Sequence, residues 1–325
     1  MATIELNLED LRQHVGKKSV STDVVNPGPV NLLRLALGRA EPEFKTGDPL
    51  PPAWLSLSFL PHYAPDELRR DGTPHDAGVV PPIPLPRRMF AGERVDVHRP
   101  VRIGDTLRRE TELADISVKS GGTGTLVFAT VVNRISGSHG LAVEDERRTV
   151  FREEVKPGER NQAPRREDAP VDVPWRRTIT PDPILLFRYS ALTFNSHRIH
   201  YDRTWAMETE GYPGLVVHGP LTTTLLIDIA RDSNPGRTIR SYTTRARAPL
   251  FDVAPFELRG RPTADGRRCE LWAVTPEGTV AMSAQVGCSA HDPAGCGLDG
   301  RARPHGHDDR RCRSDPADPV PHRRN

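Results

Sequence analysis

The residues whose types could do chemistry crowd into one stretch, Arg188 to Arg231. It holds Asn195, His197, His200, Asp202 and His218, then runs through a turn rich in glycine and proline into an apolar helix opening at Gly219-Pro220. Histidine titrates near neutral pH, so it can take a proton and return it. The first turn of a helix leaves backbone N–H groups unpaired, and the helix dipole favours negative charge there. Proton carriers set before a helix N-terminus therefore suit a substrate that becomes negatively charged during reaction. Each residue also has a plainer reading. A lone histidine is more often a packing residue. Asn195 stands where the helix from Pro181 would end, a good C-cap position. Asp202 precedes Arg203-Thr204-Trp205 as an N-cap would, and Gly219 could serve a turn. His197, His200 and His218 could in principle hold zinc, but Pro213 and two glycines lie between them and no fixed metal motif appears, so no metal is expected. Arg198, and the pair Arg87-Arg88, could clamp a carboxylate bidentately, and Arg87-Arg88 could instead meet phosphates. For all three a solvated surface is the plainer reading.

These residues need a frame. A short helix is predicted over 5–16 and a second from Pro29 through VNLLRLALGR, with Leu32, Leu33, Leu35, Ala36 and Leu37 as its apolar face. AWLSLSFLP is an apolar segment closed by Pro61, and a loop rich in Gly, Pro and Asp follows from Tyr63 to Pro86. Strand signals then dominate: GERVDVHRPV, TLRRETELADISVK, GTLVFATVVNRIS and a segment from Glu146 to Glu154. The second half repeats that order. Helix signals over Pro181–Leu192, Thr204–Thr209 and Thr222–Ala230 precede the strands TIRSYTTRARAPL, PFELRGRPT, RRCELWAVT and TVAMSAQVGC. Even the joints correspond, HRPVRIGD at 98–105 standing where TRARAPLFD stands at 244–252. Helices followed by antiparallel strands, twice, predict an α+β chain whose sheets each wrap a buried helix.

The chain has 325 residues, room for two domains with real cores. Its 45 basic and 43 acidic residues nearly cancel, so nothing global points to nucleic acid or an anionic membrane. No apolar run approaches a bilayer span, and the acidic, amphipathic N-terminus does not read as an export signal. The four cysteines, Cys269, Cys288, Cys296 and Cys312, all fall late and form no disulfide framework, which fits a cytoplasmic protein. From Ser289 onward only Leu298 and Val320 are larger aliphatics, so 289–325 is expected to be a disordered tail. Its His305-x-His307 with cysteines nearby matches no common zinc spacing.

At FNSHRIHYD and VVHGPL the chain resembles the MaoC-like hydratase/dehydratase family of the hot-dog fold. That family carries an Asp, a His five residues later and an acidic residue two further on; the slots here are Asn195, His200 and Asp202. Its second element, a His-Gly opening the central helix, is His218-Gly219. PLPRRMFAGERV and RIGDTL resemble the FAS1-like dehydratase domain often fused before such a motif. The combination is similar to the mesaconyl-C4-CoA (3-methylfumaryl-CoA) and itaconyl-CoA hydratase branch and to mitochondrial 3-hydroxyacyl-thioester dehydratases. Asn195 replaces the family's Asp, and His197-Arg198 replaces the usual Asn-Pro.

The resemblance implies a double hot-dog: a substrate-shaping N-terminal half over 1–160, a linker over 161–174 and a catalytic half over 175–288. It implies reversible addition of water to a 2-enoyl thioester, first a methyl-branched C4-dicarboxylyl-CoA, second a fatty 3-hydroxyacyl thioester. His200 is then the acid/base, Asn195 holds the water and Gly219 donates to the thioester oxygen, with His197, Arg198, His218 and Arg88 as substrate-binding candidates. No cofactor is expected, since CoA enters with the substrate, and a homodimer is allowed. A hot-dog thioesterase and a non-catalytic acyl-CoA-binding module are the rival readings.

Overall fold

The structure, a computed structural model, describes residues 7–76, 78–121, 124–153 and 166–289. In chain order, α1 (Leu8–Arg12) leads to strand β1 (Lys18–Val24) and helix α2 (Pro27–Ala36). Two 3-10 turns, Pro52–Leu57 and Pro65–Glu67, precede a run of four strands. These are β2 (Arg87–Val97), β3 (Thr106–Gly121), β4 (Gly124–Gly137) and β5 (Gly140–Arg152). The second half opens with β6 (Trp175–Ile179) and α3 (Pro183–Leu192), a 3-10 turn at Arg198–His200 and a π-helical turn at Trp205–Thr209. It closes with α4 (Gly219–Asp232), β7 (Ile239–Ala246), β8 (Phe256–Pro262), β9 (Arg268–Val274) and β10 (Val280–Cys288).

The strands form one antiparallel sheet in the order β1-β3-β4-β5-β2-β7-β10-β9-β8-β6. Numbered within its own half, each run of five reads 1-3-4-5-2 outward to inward, so the repeat seen in the sequence is a repeat of topology. The halves meet at β2 and β7, with Glu93 opposite Thr244 and Val95 opposite Tyr242. Two sheets fused at this seam, curling round a helix, make a double hot-dog.

Helix α4 is the wrapped helix. Leu221 through Ala230 are all buried, on every side rather than along one stripe. Two hydroxyls in that run are satisfied locally: Thr222 Oγ1 donates to the His218 carbonyl at 3.1 Å and Thr224 Oγ1 to the Pro220 carbonyl at 3.0 Å. Asp228, also buried, accepts from Trp54 Nε1 at 3.2 Å and from Arg39 Nη1 at 3.3 Å, both from the N-terminal half. Among the described residues the N-terminal half has no helix in the corresponding place before β2. Its 3-10 turn Pro52–Leu57 packs against α4 instead, burying Ala53, Trp54 and Leu57. The two halves thus share one sheathed helix and one main core.

Strands β1 and β6, the two edges of the sheet, are absent from the sequence reading. The remaining strands, α2 and α3 overlap the predicted segments, although β2 and β5 begin five and six residues earlier than expected. The expected linker 161–174 lies partly outside the described residues, and the expected tail does so beyond Ser289, together with His305 and His307.

Candidate active site

Helix α3 begins on an Asp182 cap, whose carboxylate accepts from the Leu185 N–H at 2.7 Å, with Pro183 in its first turn. It ends at Leu192, and the chain turns sharply through Phe194, whose φ of 48° is rare for a non-glycine residue. Asn195 fixes that turn from both sides. Its N–H donates to the Ser190 carbonyl at 2.8 Å, and its Oδ1 accepts from the His197 N–H at 3.0 Å. The capping role is therefore occupied; the side-chain amide group of Asn195 has no hydrogen-bond partner among the described residues, so a water-holding role remains open to it.

His200 follows in a 3-10 turn and is buried. Its Nδ1 lies 2.7 Å from the Val216 carbonyl oxygen. A carbonyl only accepts, so Nδ1 carries the proton and Nε2 is left as the unprotonated, basic nitrogen. Nε2 has no partner among the described residues. Burial, then the charge of His197, pushes the His200 pKa down to about 3, against the Val216 hydrogen bond that raises it. The ring is neutral at working pH, as a base must be.

His218 stacks on His200 with ring centroids 3.7 Å apart and 19° between planes. It is fully buried, its Nε2 is 2.8 Å from Ser190 Oγ, and its Nδ1 has no hydrogen-bond partner among the described residues. Burial holds its pKa well below the ordinary histidine value. His197 meets His200 edge-on at 5.5 Å and places Nε2 4.0 Å from Asp71 Oδ2; burial lowers its pKa to about 4. The three histidines therefore form one neutral cluster at the start of α4.

Gly219 is the first residue of α4, with Pro220 next. A Cβ on Gly219 would lie 2.5 Å from Cδ1 of Phe90, a β2 residue of the N-terminal half. The glycine is thus required for the close approach of that ring, and at the first turn of the helix backbone N–H groups lie outside the intrahelical ladder, where they suit a developing anion.

The arginines divide. Arg198 Nε and Nη2 donate to Asp202 Oδ2 at 2.9 and 2.6 Å, and its guanidinium lies 4.1 Å from the Trp205 ring centroid. Asp202 also caps the following turn through the Trp205 N–H at 3.0 Å, as its position before Trp205 predicted. Arg198 is therefore already engaged, which weighs against its reading as a carboxylate clamp. Arg87 Nε is 3.2 Å from Glu210 Oε2. Arg88, partly buried beside Phe151, makes no hydrogen bond or ion pair among the described residues.

The N-terminal half also reaches this loop directly. Ser196 Oγ donates to the Gly72 carbonyl at 2.6 Å and the Arg198 N–H to the Asp71 carbonyl at 2.8 Å. Asp71, Phe90, Ser190 and the Val216 carbonyl were not among the residues singled out for a role by sequence. A backbone acceptor leaves no trace in residue type, and Asp71 lies more than a hundred positions from its partner. Ser190 alone had a signal, five residues before Asn195 and inside the helix predicted over Pro181–Leu192.

Fold and site define a hot-dog hydratase or dehydratase, and the comparisons with known proteins agree. The hydroxyacyl-thioester dehydratase type 2 family model matches residues 54–252. The mesaconyl-C(4)-CoA hydratase of Chloroflexus aurantiacus is 50% identical over 243 residues, 73% of this chain and 83% of that protein. A solved MaoC-like dehydratase superposes with a TM-score of 0.63 at 16% identity, covering 85% of this chain and 99% of its own. A Mycobacterium tuberculosis protein described as having a double hotdog fold superposes with a TM-score of 0.50 at 15% identity, covering 84% and 96%. The chain belongs to the hydroxyacyl-thioester dehydratase type 2 family, and is by that membership a hydro-lyase.

Proposed function

We propose that this protein hydrates a C4-dicarboxylyl-CoA of the mesaconyl-C4-CoA or itaconyl-CoA type, reversibly. The observation that carries the reading is the fixed tautomer of His200, whose basic Nε2 is left without a partner beside the N-terminus of α4. In the hydration direction, His200 Nε2 takes a proton from water as the water oxygen attacks the β-carbon. Negative charge moves to the thioester oxygen, where first-turn N–H groups of α4 at Gly219 receive it. The protonated His200 then returns the proton to the α-carbon, so one residue serves as base and acid. Asn195 holds the water without carrying a proton, His197 and His218 keep the imidazole in place, and the substrate itself brings the CoA. The 50% identity to a mesaconyl-C(4)-CoA hydratase supports the acyl group.

A spectrophotometric assay decides the reaction class: hydration bleaches the enoyl-thioester absorbance, whereas a thioesterase releases a thiol that a thiol reagent detects. Binding of acyl-CoA without either signal would mean a non-catalytic module. A panel of mesaconyl-C4-CoA, itaconyl-CoA and crotonyl-CoA followed by mass spectrometry decides the acyl group, a fatty 3-hydroxyacyl thioester being the second choice. A homodimer belongs to the same reading, supported by exposed Leu32, Leu35, Ile184 and Phe187 on the packed helices α2 and α3. Light scattering measures it. No helix among the described residues is long and apolar enough to cross a membrane; a cytoplasmic location is proposed with the rest.

A further inference from the structure

A substrate with a second carboxylate needs a cation that the protein itself has not neutralised. Arg198 is spoken for by Asp202 and Arg87 meets Glu210. Arg88 and Arg69 have no acidic partner among the described residues, and both line one small cavity with Thr73, Ile83 and Phe151. Its walls are otherwise largely proline and apolar, so two like charges face each other across a space with little water to screen them. Burial, ahead of any neighbour, pushes the Arg88 pKa down, and Arg69 pushes the same way while Tyr63 and Asp71 oppose. Arginine stays charged under such pressure, so the site attracts an anion. The cavity also belongs to the catalytic neighbourhood. Thr73 and Arg69 flank Asp71 and Gly72, which hold the histidine loop, and the charge of Arg88 reaches His197.

We propose that Arg88, with Arg69 beside it, forms the subsite for the free carboxylate of the acyl group and so selects dicarboxylyl over monocarboxylyl thioesters. The inference rests on the hydratase reading above. The cavity measures about 20 Å³, room for roughly one water-sized group. That admits one oxygen of a carboxylate. The planar guanidinium matches a carboxylate with two parallel hydrogen bonds, and the apolar walls keep water from competing.

Succinyl-CoA and butyryl-CoA test this without turnover, since neither can be hydrated and they differ only by a terminal carboxylate in place of a methyl group. Isothermal titration of the full chain should show Arg88→Gln weakening succinyl-CoA by about 10-fold or more. Butyryl-CoA should stay within about 2-fold of the wild-type value, because no carboxylate is lost. Arg88→Lys should recover part of the succinyl-CoA affinity, since it keeps the charge and loses the fork. Equal weakening of both ligands would place CoA phosphate at Arg88 and overturn the proposal, as would no weakening of either. If Arg88→Gln does not fold, as read by circular dichroism, Arg69→Gln takes its place in the same comparison. Wild-type turnover of mesaconyl-C4-CoA and crotonyl-CoA is measured alongside. Hydration of neither sinks the hydratase reading, while the titrations still decide the subsite.

Discussion

At the scale of single residues, the proposed mechanism rests on committing one nitrogen and freeing another. Val216 holds the Nδ1 proton of His200, so in the proposed mechanism the acid–base duty falls on Nε2. Replacing His200 with Ala should lower kcat by about 10²–10⁴ while circular dichroism shows an intact fold; retained turnover would remove His200 from the mechanism. Because the His200 pKa lies near 3, its basic form persists far below neutrality. The kcat/KM profile should therefore lack the acid limb near pH 6.5 that an ordinary histidine gives, staying flat from about pH 8 to pH 5. Asn195→Asp should fold with an unchanged melting temperature and keep activity, since a carboxylate can accept the His197 N–H as the amide oxygen does. Much of the candidate site was legible: the spacing of Asn195, His200 and His218-Gly219 pointed to residues of which the structure brings His200 and His218 into contact. The pairing of Asp71 with His197 was not, because no local pattern records which distant loop lands on a given histidine.

Elements were readable in proportion to how much apolar surface each one buries. Helix α4 announced itself through its glycine-proline start and its apolar character, and β2 and β4 through alternation. Strands β1 and β6 stayed invisible for a physical reason. As edges they pair on one side only, and KSVSTDV and WRRTI are largely exposed and polar or charged, a composition that blunts an open edge but erases the strand signal. The N-terminal counterpart of α4 was expected from the symmetry of the repeat. Its place before β2 lies in a proline-rich segment unsuited to a helix, while Trp54 and its neighbours cover α4. The contact of Phe90 with Gly219 is where this arrangement can be probed. Gly219→Ala should cost about 1–3 kcal/mol in urea denaturation through overpacking against the ring. The loss should shrink in a Phe90→Ala background; equal losses in both would mean the ring is not the obstacle.

At the scale of the whole molecule, buried charge ties the halves together and sets the response to pH. Asp228 in α4 accepts from Trp54 and Arg39 of the other half, so Asp228→Ala should destabilise the chain by about 3–5 kcal/mol in chemical denaturation. The three histidines of the candidate site all have depressed pKa values, about 3 for His200 and about 4 for His197. Once unfolded they titrate near 6.5, so below that pH the unfolded chain binds protons the folded one refuses, and stability falls as pH drops. Burial raises Glu93 to about 7 and Asp228 to about 6, and these act with the opposite sign: their contribution is full at low pH and lost as pH rises through those values. Three groups outweigh two, so the melting temperature should fall between pH 6.5 and pH 4. Changing His197 to Gln should flatten that fall.

The seam between β2 and β7 has a further consequence. Among the described residues, every strand pairing runs either within one half or across that ladder, and the halves are joined covalently between β5 and β6. A chain severed there would keep its hydrogen-bond ladder, its shared helix and the meeting of Phe90 with Gly219. Two fragments expressed as separate polypeptides should find each other and reconstitute one catalyst, with neither fragment active alone. The protein is, in effect, a heterodimer that happens to be written as a single gene product.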